Sequence, residues 1–175
     1  MRELLMTFLL LSGFGAIGQN SFPDNWVGNY EGALDIFGVD SITMHVGMKL
    51  SIAKKSDSIY KWKMTYSLKD QQDERDYEMI VVNREQGRFD IDEKNSIIID
   101  GYYRSGIYTS IFEVQKNMII ASYSKKGERL LFEIISANVG DSKITGNSKM
   151  DGKSIPEVRS LLVNGRQKCI LKRVD

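Results

Sequence analysis

Four groups of residues in this chain have types that could do chemistry. Gly140-Asp141-Ser142-Lys143 has the look of a hydrolase nucleophile block. A serine nucleophile needs a base to take its proton, and a histidine usually serves. The sole histidine, His45, precedes that serine and falls on a strand face that reads as solvated. Asp70, Asp73, Glu74 and Asp76 crowd one segment, and Asp90, Asp92 and Asp100 flank another. Neither has the spacing of a calcium loop, so both read as solvated turns. Cys169, the sole cysteine, reads as a small buried hydrophobe rather than a nucleophile. One cysteine excludes an intramolecular disulfide and any multi-cysteine zinc or iron–sulfur site. There is no Gly-x-Ser-x-Gly, no P-loop and no metal-ligand cluster. No catalytic residue and no metal is assigned.

The composition narrows the partners. The 175 residues carry 24 Lys+Arg against 23 Asp+Glu, a net charge of +1. That balance gives no electrostatic reason to expect nucleic acid as a partner. Met1-Arg2-Glu3, the apolar run from Leu4 to Ile17, and Ala16-Ile17-Gly18 have the pattern of a secretory signal peptide cleaved after Gly18. The apolar run is shorter than the roughly 20 residues of a membrane span. No cysteine follows it to carry a lipid. The expectation is a secreted or periplasmic chain with no integral membrane span and no lipid anchor, residues 1–18 being the signal and 19–175 one domain.

Short strands are expected to position whatever site exists. Apolar and polar residues alternate at period two through most of the chain, as in Ile42, Met44, Val46, Met48, Leu50 and Ile52. Turn-forming clusters separate the strands, and Asn164-Gly165 reads as a hairpin turn. Ile155 to Leu161 admits a short helix, and residues 136–157 are polar, with one weak strand near Ile144. The spacing predicts an all-β antiparallel up-and-down barrel of about 8–10 strands. Charge sets the phase. Tyr30-Glu31, Tyr77-Glu78, Phe112-Glu113 and Phe132-Glu133 each put an aromatic beside a glutamate, and neighbouring residues of a strand face opposite ways. An unpaired buried carboxylate is costly, so the aromatics face inward. The interior then holds Trp26, Tyr30, Leu34, Met44, Met48, Trp62, Met64, Tyr66, Tyr77, Met79, Tyr108, Ser110, Phe112 and Phe132.

A meander with one apolar face can pair its first and last strands, which removes exposed edges. Trp26 on the first strand and Arg173 on the last stand where the calycin barrels place a stacked tryptophan and cation. Those barrels are the lipocalins, fatty-acid-binding proteins and avidins, and the chain resembles them on that pair. The resemblance implies a lipocalin-like barrel whose end is closed by Trp26 and Arg173 as structural residues. Trp26-Val27-Gly28-Asn29-Tyr30-Glu31-Gly32 also resembles the start of small haem barrels of the nitrobindin type. Their haem ligand is a histidine near the C-terminus, and none follows His45, so no cofactor is assigned.

The interior is the feature with functional content. Tyr30, Met44, Met48, Trp62, Met64, Tyr66, Tyr77, Tyr108, Ser110 and Phe112 combine adaptable methionines with hydroxyls that seek partners when buried. A barrel of this size either packs its lumen or holds one small ligand. The first expectation is a monomeric, non-catalytic binder of a small apolar or amphipathic ligand. The alternative is a structural or interaction module of the cell envelope with a packed, ligand-free core.

Overall fold

Strict alternation over ten or more residues favours long strands, and thirteen strands form among the described residues. The computed structural model describes residues 22–175, so the expected signal segment 1–18 lies outside the described residues. A 3-10 turn, Asp24–Trp26, leads into β1 (Gly28–Phe37) and β2 (Ile42–Lys54). Then come β3 (Ile59–Leu68), β4 (Gln71–Asn83), β5 (Arg88–Asp92), β6 (Ile98–Ile99) and β7 (Tyr102–Arg104). After them run β8 (Ile107–Val114), β9 (Asn117–Lys126) and β10 (Arg129–Thr145). The chain ends with β11 (Ser148–Met150), β12 (Lys153–Ile155) and β13 (Val158–Arg173).

The strands close into a ten-strand antiparallel barrel. The ring runs β1-β2-β3-β4-β5-β7-β8-β9-β10-β13 and returns to β1, with β6 beside β7 on the edge of β5. Tyr30 on β1 pairs with Arg173 on β13, and Leu34 pairs with Cys169. The inward phase follows the charge argument in most strands. Tyr30, Met48, Trp62, Met64, Met79, Tyr108, Ser110 and Phe132 are buried, and so is Cys169.

Four expectations are corrected. Met44 keeps the inward phase but is 43% exposed, because β2 runs past the core and its partner there, Ile36, is already at the rim. Residues 155–161 form no helix: Ile155 ends β12, Pro156 and Glu157 link the strands, and β13 starts at Val158 and pairs with the upper part of β10. Asn164-Gly165 is not a hairpin turn. It lies inside β13, where a Cβ on Gly165 would sit 2.4 Å from Ser136 Oγ. The glycine there serves close strand approach, not a turn. Trp26 lies in the 3-10 turn just before β1, and it is not stacked with Arg173. Among the described residues the cation–ring pairs are Lys54–Tyr60, Arg75–Tyr66, Arg104–Tyr102 and Arg166–Phe37.

The closed end has a different construction. Trp26 packs against Phe22, Trp62 and Tyr103, with Phe22 stacked on Tyr103 at 4.4 Å. Arg173 covers the same end from β13. Its guanidinium lies over Gly28, where a Cβ would come within 3.1 Å of Cζ, and it binds Asp175 and Glu128. Lys125 also reaches in, donating to the Asn25 carbonyl. Asp24 anchors the turn, accepting from Tyr60 Oη at 2.6 Å and pairing with Lys54 and Arg84.

The wall is incomplete towards the opposite end. β5 stops at Asp92, opposite Glu78, and β7 pairs with β8 only at Ile107, Tyr108 and Thr109. The upper part of β4, from Gln71 to Tyr77, and of β8, from Ser110 to Val114, therefore have no second strand partner. Residues 93–97 bridge part of this seam, with Lys94 paired to Asp76 and Glu78. Beyond the same end, β10 and β13 continue as a two-stranded arm tipped by the β11–β12 hairpin.

Two predictions follow from this packing. A Cβ on Gly101 would lie 2.0 Å from Tyr108 Oη, which donates to the Phe89 carbonyl at 2.9 Å. Gly101→Ala is expected to destabilise the fold by about 1–3 kcal/mol, as overpacking does. An unchanged urea midpoint would refute that close approach. Burial acts to raise the Asp24 pKa, but the bonds and charges from Tyr60, Lys54 and Arg84 outweigh it and hold the carboxyl below its usual value of 3.8. Its contribution is then present above pH 3.8 and lost as pH falls through the lower folded value. Asp24→Asn should flatten the acid limb of Tm against pH, and an unaltered limb would rule the network out as its source.

Candidate functional site

The inner faces of β3, β4, β8, β9 and β10 enclose a cavity of about 110 Å³ beneath the seam. Its floor is aromatic. Trp62 meets Tyr123 edge-on at 5.4 Å, and Tyr123 stacks on Phe132 at 4.5 Å. Tyr108 stands 6.1 Å from Trp62. Met64, Ala121 and Ile134 fill the sides, and Ser110 donates to Tyr108 Oη at 3.5 Å. Its rim carries both charges: Arg75 from β4 and Glu93 from the loop after β5, with Tyr66 and Tyr77 beside them. The Arg75 guanidinium lies 5.0 Å over the Tyr66 ring, and its Nε donates to Asp73 at 3.0 Å.

Seven of the ten residues expected to contact ligand line this cavity: Trp62, Met64, Tyr66, Tyr77, Tyr108, Ser110 and Phe112. The other three do not. Tyr30 is buried at the closed end, where its hydroxyl donates to the Trp26 carbonyl at 2.9 Å. Met48 is buried but does not line the cavity, and it lies opposite Gly32 and Tyr66 on the neighbouring strands. Met44 stands exposed at the rim.

Arg75, Glu93 and Tyr123 are functional candidates that the sequence reading did not reach. Arg75 was available in the pattern, because stepping back two residues from Tyr77 keeps it on the inner face, opposite Met64. Tyr123 was masked by Lys125, which shares its phase and, under the charge argument, would turn that face outward. Lys125 escapes the rule by reaching over the barrel end. Glu93 depends on a loop path that no period encodes.

The serine, histidine and carboxylate motifs of the sequence lie outside this cavity. Ser142 lies on the arm, where its Oγ accepts from Arg159 Nε at 2.8 Å and Asp141 accepts from Asn138. His45 is mostly exposed and pairs with Asp35 at 2.7 Å. Asp73, Glu74 and Asp76 are in β4 rather than in a turn, each facing a cation. Asp90 is buried, not solvated, and is held by two bonds from Arg88, which also binds Asp100.

Burial sets the ionisation of the site. It pushes the Tyr66 phenol up to about 12, and it raises Tyr108 and Tyr123 as well. These hydroxyls stay protonated, and can donate, across the physiological range. Burial also pushes the Cys169 thiol up to about 12, which leaves it a poor nucleophile near neutrality.

No family model matches the chain, and no curated protein sequence matches it. A solved structure of a protein of unknown function from the DUF3598 family of Nostoc punctiforme resembles it in fold, with a TM-score of 0.54 at 9% identity. The match covers 86% of this chain and 48% of that one, so this chain spans about half the length of that protein. At that identity the likeness is one of fold alone.

An absorbance titration tests the burial of the rim tyrosine. Tyr66→Phe should remove an ionisation near 12. Loss of a step near 10 instead would place Tyr66 in solvent.

Proposed function

We propose that the chain is an exported, monomeric, lipocalin-like barrel that binds one small apolar or amphipathic molecule in its lumen and catalyses no reaction. The observation supporting this is the aromatic cavity under the seam, apolar below and polar at the rim. Apolar walls with a few placed polar groups are typical of small-molecule sites. The cavity volume, about 110 Å³, limits the ligand. Drug-sized ligands fill pockets of roughly 300–1,000 Å³. A dry cavity of about 150 Å³ admits a benzene. The buried part of the ligand is therefore one small ring or its equivalent, and an acyl chain of lipid length does not fit.

A second reading, an interaction module of the cell envelope, draws on the arm. Ile144, Met150, Val158, Leu162 and Val163 stand exposed there, and two-stranded ribbons are marginal without a packing partner. In that reading the core only supports the arm.

Ligand-observed NMR with toluene separates the two. Toluene should bind saturably, and Ala121→Leu, which fills the cavity, should abolish the signal while the barrel stays folded. Absence of saturable binding by the unaltered protein would discard the lumen reading and favour the arm.

A further inference from the structure

The buried and half-buried tyrosines whose hydroxyls donate hydrogen bonds fall into two sets. Tyr30 donates to a backbone carbonyl at 2.9 Å, Tyr108 to another at 2.9 Å, and Tyr60 to the Asp24 carboxylate at 2.6 Å. All three have oxygen acceptors. Tyr123 and the half-buried Tyr66 have none among the described residues. Both direct their hydroxyls at one thioether, Met64 Sδ, at 3.3 and 3.5 Å. A thioether sulfur is a weak acceptor. Tyr123 is only 6% exposed, so water does not make up the difference. The two poorly matched donors both belong to the cavity.

We propose that the cavity recognises a small ring through an uncharged oxygen acceptor, of which an aryl carbonyl is the type, held by the Tyr123 and Tyr66 hydroxyls in place of Met64 Sδ. This rests on the lumen-binding reading and names the ligand class within it. Met64 is unbranched and can swing aside to admit the oxygen. Trp62, Tyr108 and Phe132 supply ring faces and edges for the rest of the ligand. The acceptor is uncharged because an anion at the depth of Tyr123 would meet aromatic and aliphatic walls with no countercharge. Arg75 is at the rim, already paired with Asp73, and Glu93 lines the same cavity with the opposite charge.

The test compares three probes on the purified protein: acetophenone, ethylbenzene with the same ring and no oxygen, and benzoate. Acetophenone should bind at least about fivefold tighter than ethylbenzene, and benzoate least of all. Tyr123→Phe should bring acetophenone down to the ethylbenzene level and leave ethylbenzene unchanged. The carbonyl stretch of bound acetophenone reads the same bond in the unaltered protein, so the test survives a variant that fails to fold. A shift to lower frequency than in an apolar solvent is expected. Equal affinities with an unshifted stretch would overturn the acceptor and leave the lumen reading standing. Benzoate binding tighter than acetophenone would overturn the uncharged class. Failure of all three probes to bind would overturn both readings together.

Discussion

Pairing of the first strand with the last is the constraint on which the rest of this barrel depends. Until β1 meets β13, ten strands form an open sheet with two unsatisfied edges and no interior. The contact joins residues at opposite ends of the sequence, such as Tyr30 and Arg173, so its loop-closure cost is high. Two glycines make it sterically feasible. A Cβ on Gly32 would sit 2.4 Å from the Ile170 carbonyl, and Gly28 leaves room for the Arg173 guanidinium. The turn before β1 then folds under the same end, and Trp26 becomes the base on which Phe22, Trp62 and Tyr103 stack. The Trp-x-Gly-x-Tyr-x-Gly run is thus a closure device: each glycine clears β13, and the Tyr30 hydroxyl ties the strand back to the Trp26 carbonyl.

Closure also explains where the cavity lies. At the Trp26 end the ring is complete and the interior is filled by large aromatics. Towards the other end β5 and β7 stop, and the wall between β4 and β8 loses its strand partners. Side chains still project inward from both edges, but residues 93–97 are too irregular to pack between them as a strand would. The space that remains is the cavity, and the charged residues there, Arg75 and Glu93, are those a complete wall would have excluded from the inner face. Pocket and seam are one feature, produced by two short strands.

The alternation of apolar and polar residues made the architecture legible, and charge beside aromatics made most of the phase legible. That reasoning puts Trp62, Met64, Tyr66, Tyr77, Tyr108, Ser110 and Phe112 on one surface. It failed wherever a strand outran the core or a charge escaped around the end. Met44 obeys the alternation yet is exposed, since a period states which way a residue faces and not how far along the barrel it lies. Lys125 inverts the charge rule for β9 and hides Tyr123. Asn164-Gly165 shows the limit of turn chemistry: the dipeptide allows a tight turn, but here the glycine lets β13 pass Ser136. Gln115-Lys116, with positive φ of 49° and 65°, makes the β8–β9 turn with neither glycine nor asparagine. There the pairing of Val114 with Asn117 imposed a conformation that local preference disfavours.

The scarcity of histidine and cysteine leaves phenolic hydroxyls as the main polar resource of the interior, and their acceptors divide the barrel by role. A buried donor is worth about 1 kcal/mol to stability when well matched, and it is costly when left without an adequate partner. Tyr30, Tyr60 and Tyr108 are well matched, and each fixes a piece of the closed end: the Trp26 turn, the Asp24 anchor and the Phe89 strand. Exchanging any of these acceptors for sulfur would loosen the plug. Phenylalanine at 66 and 123 would instead suit the thioether and aromatic neighbours they now have. Their hydroxyls, placed where the fold gains little from them and beside a small cavity, are the groups that the proposed acceptor would engage.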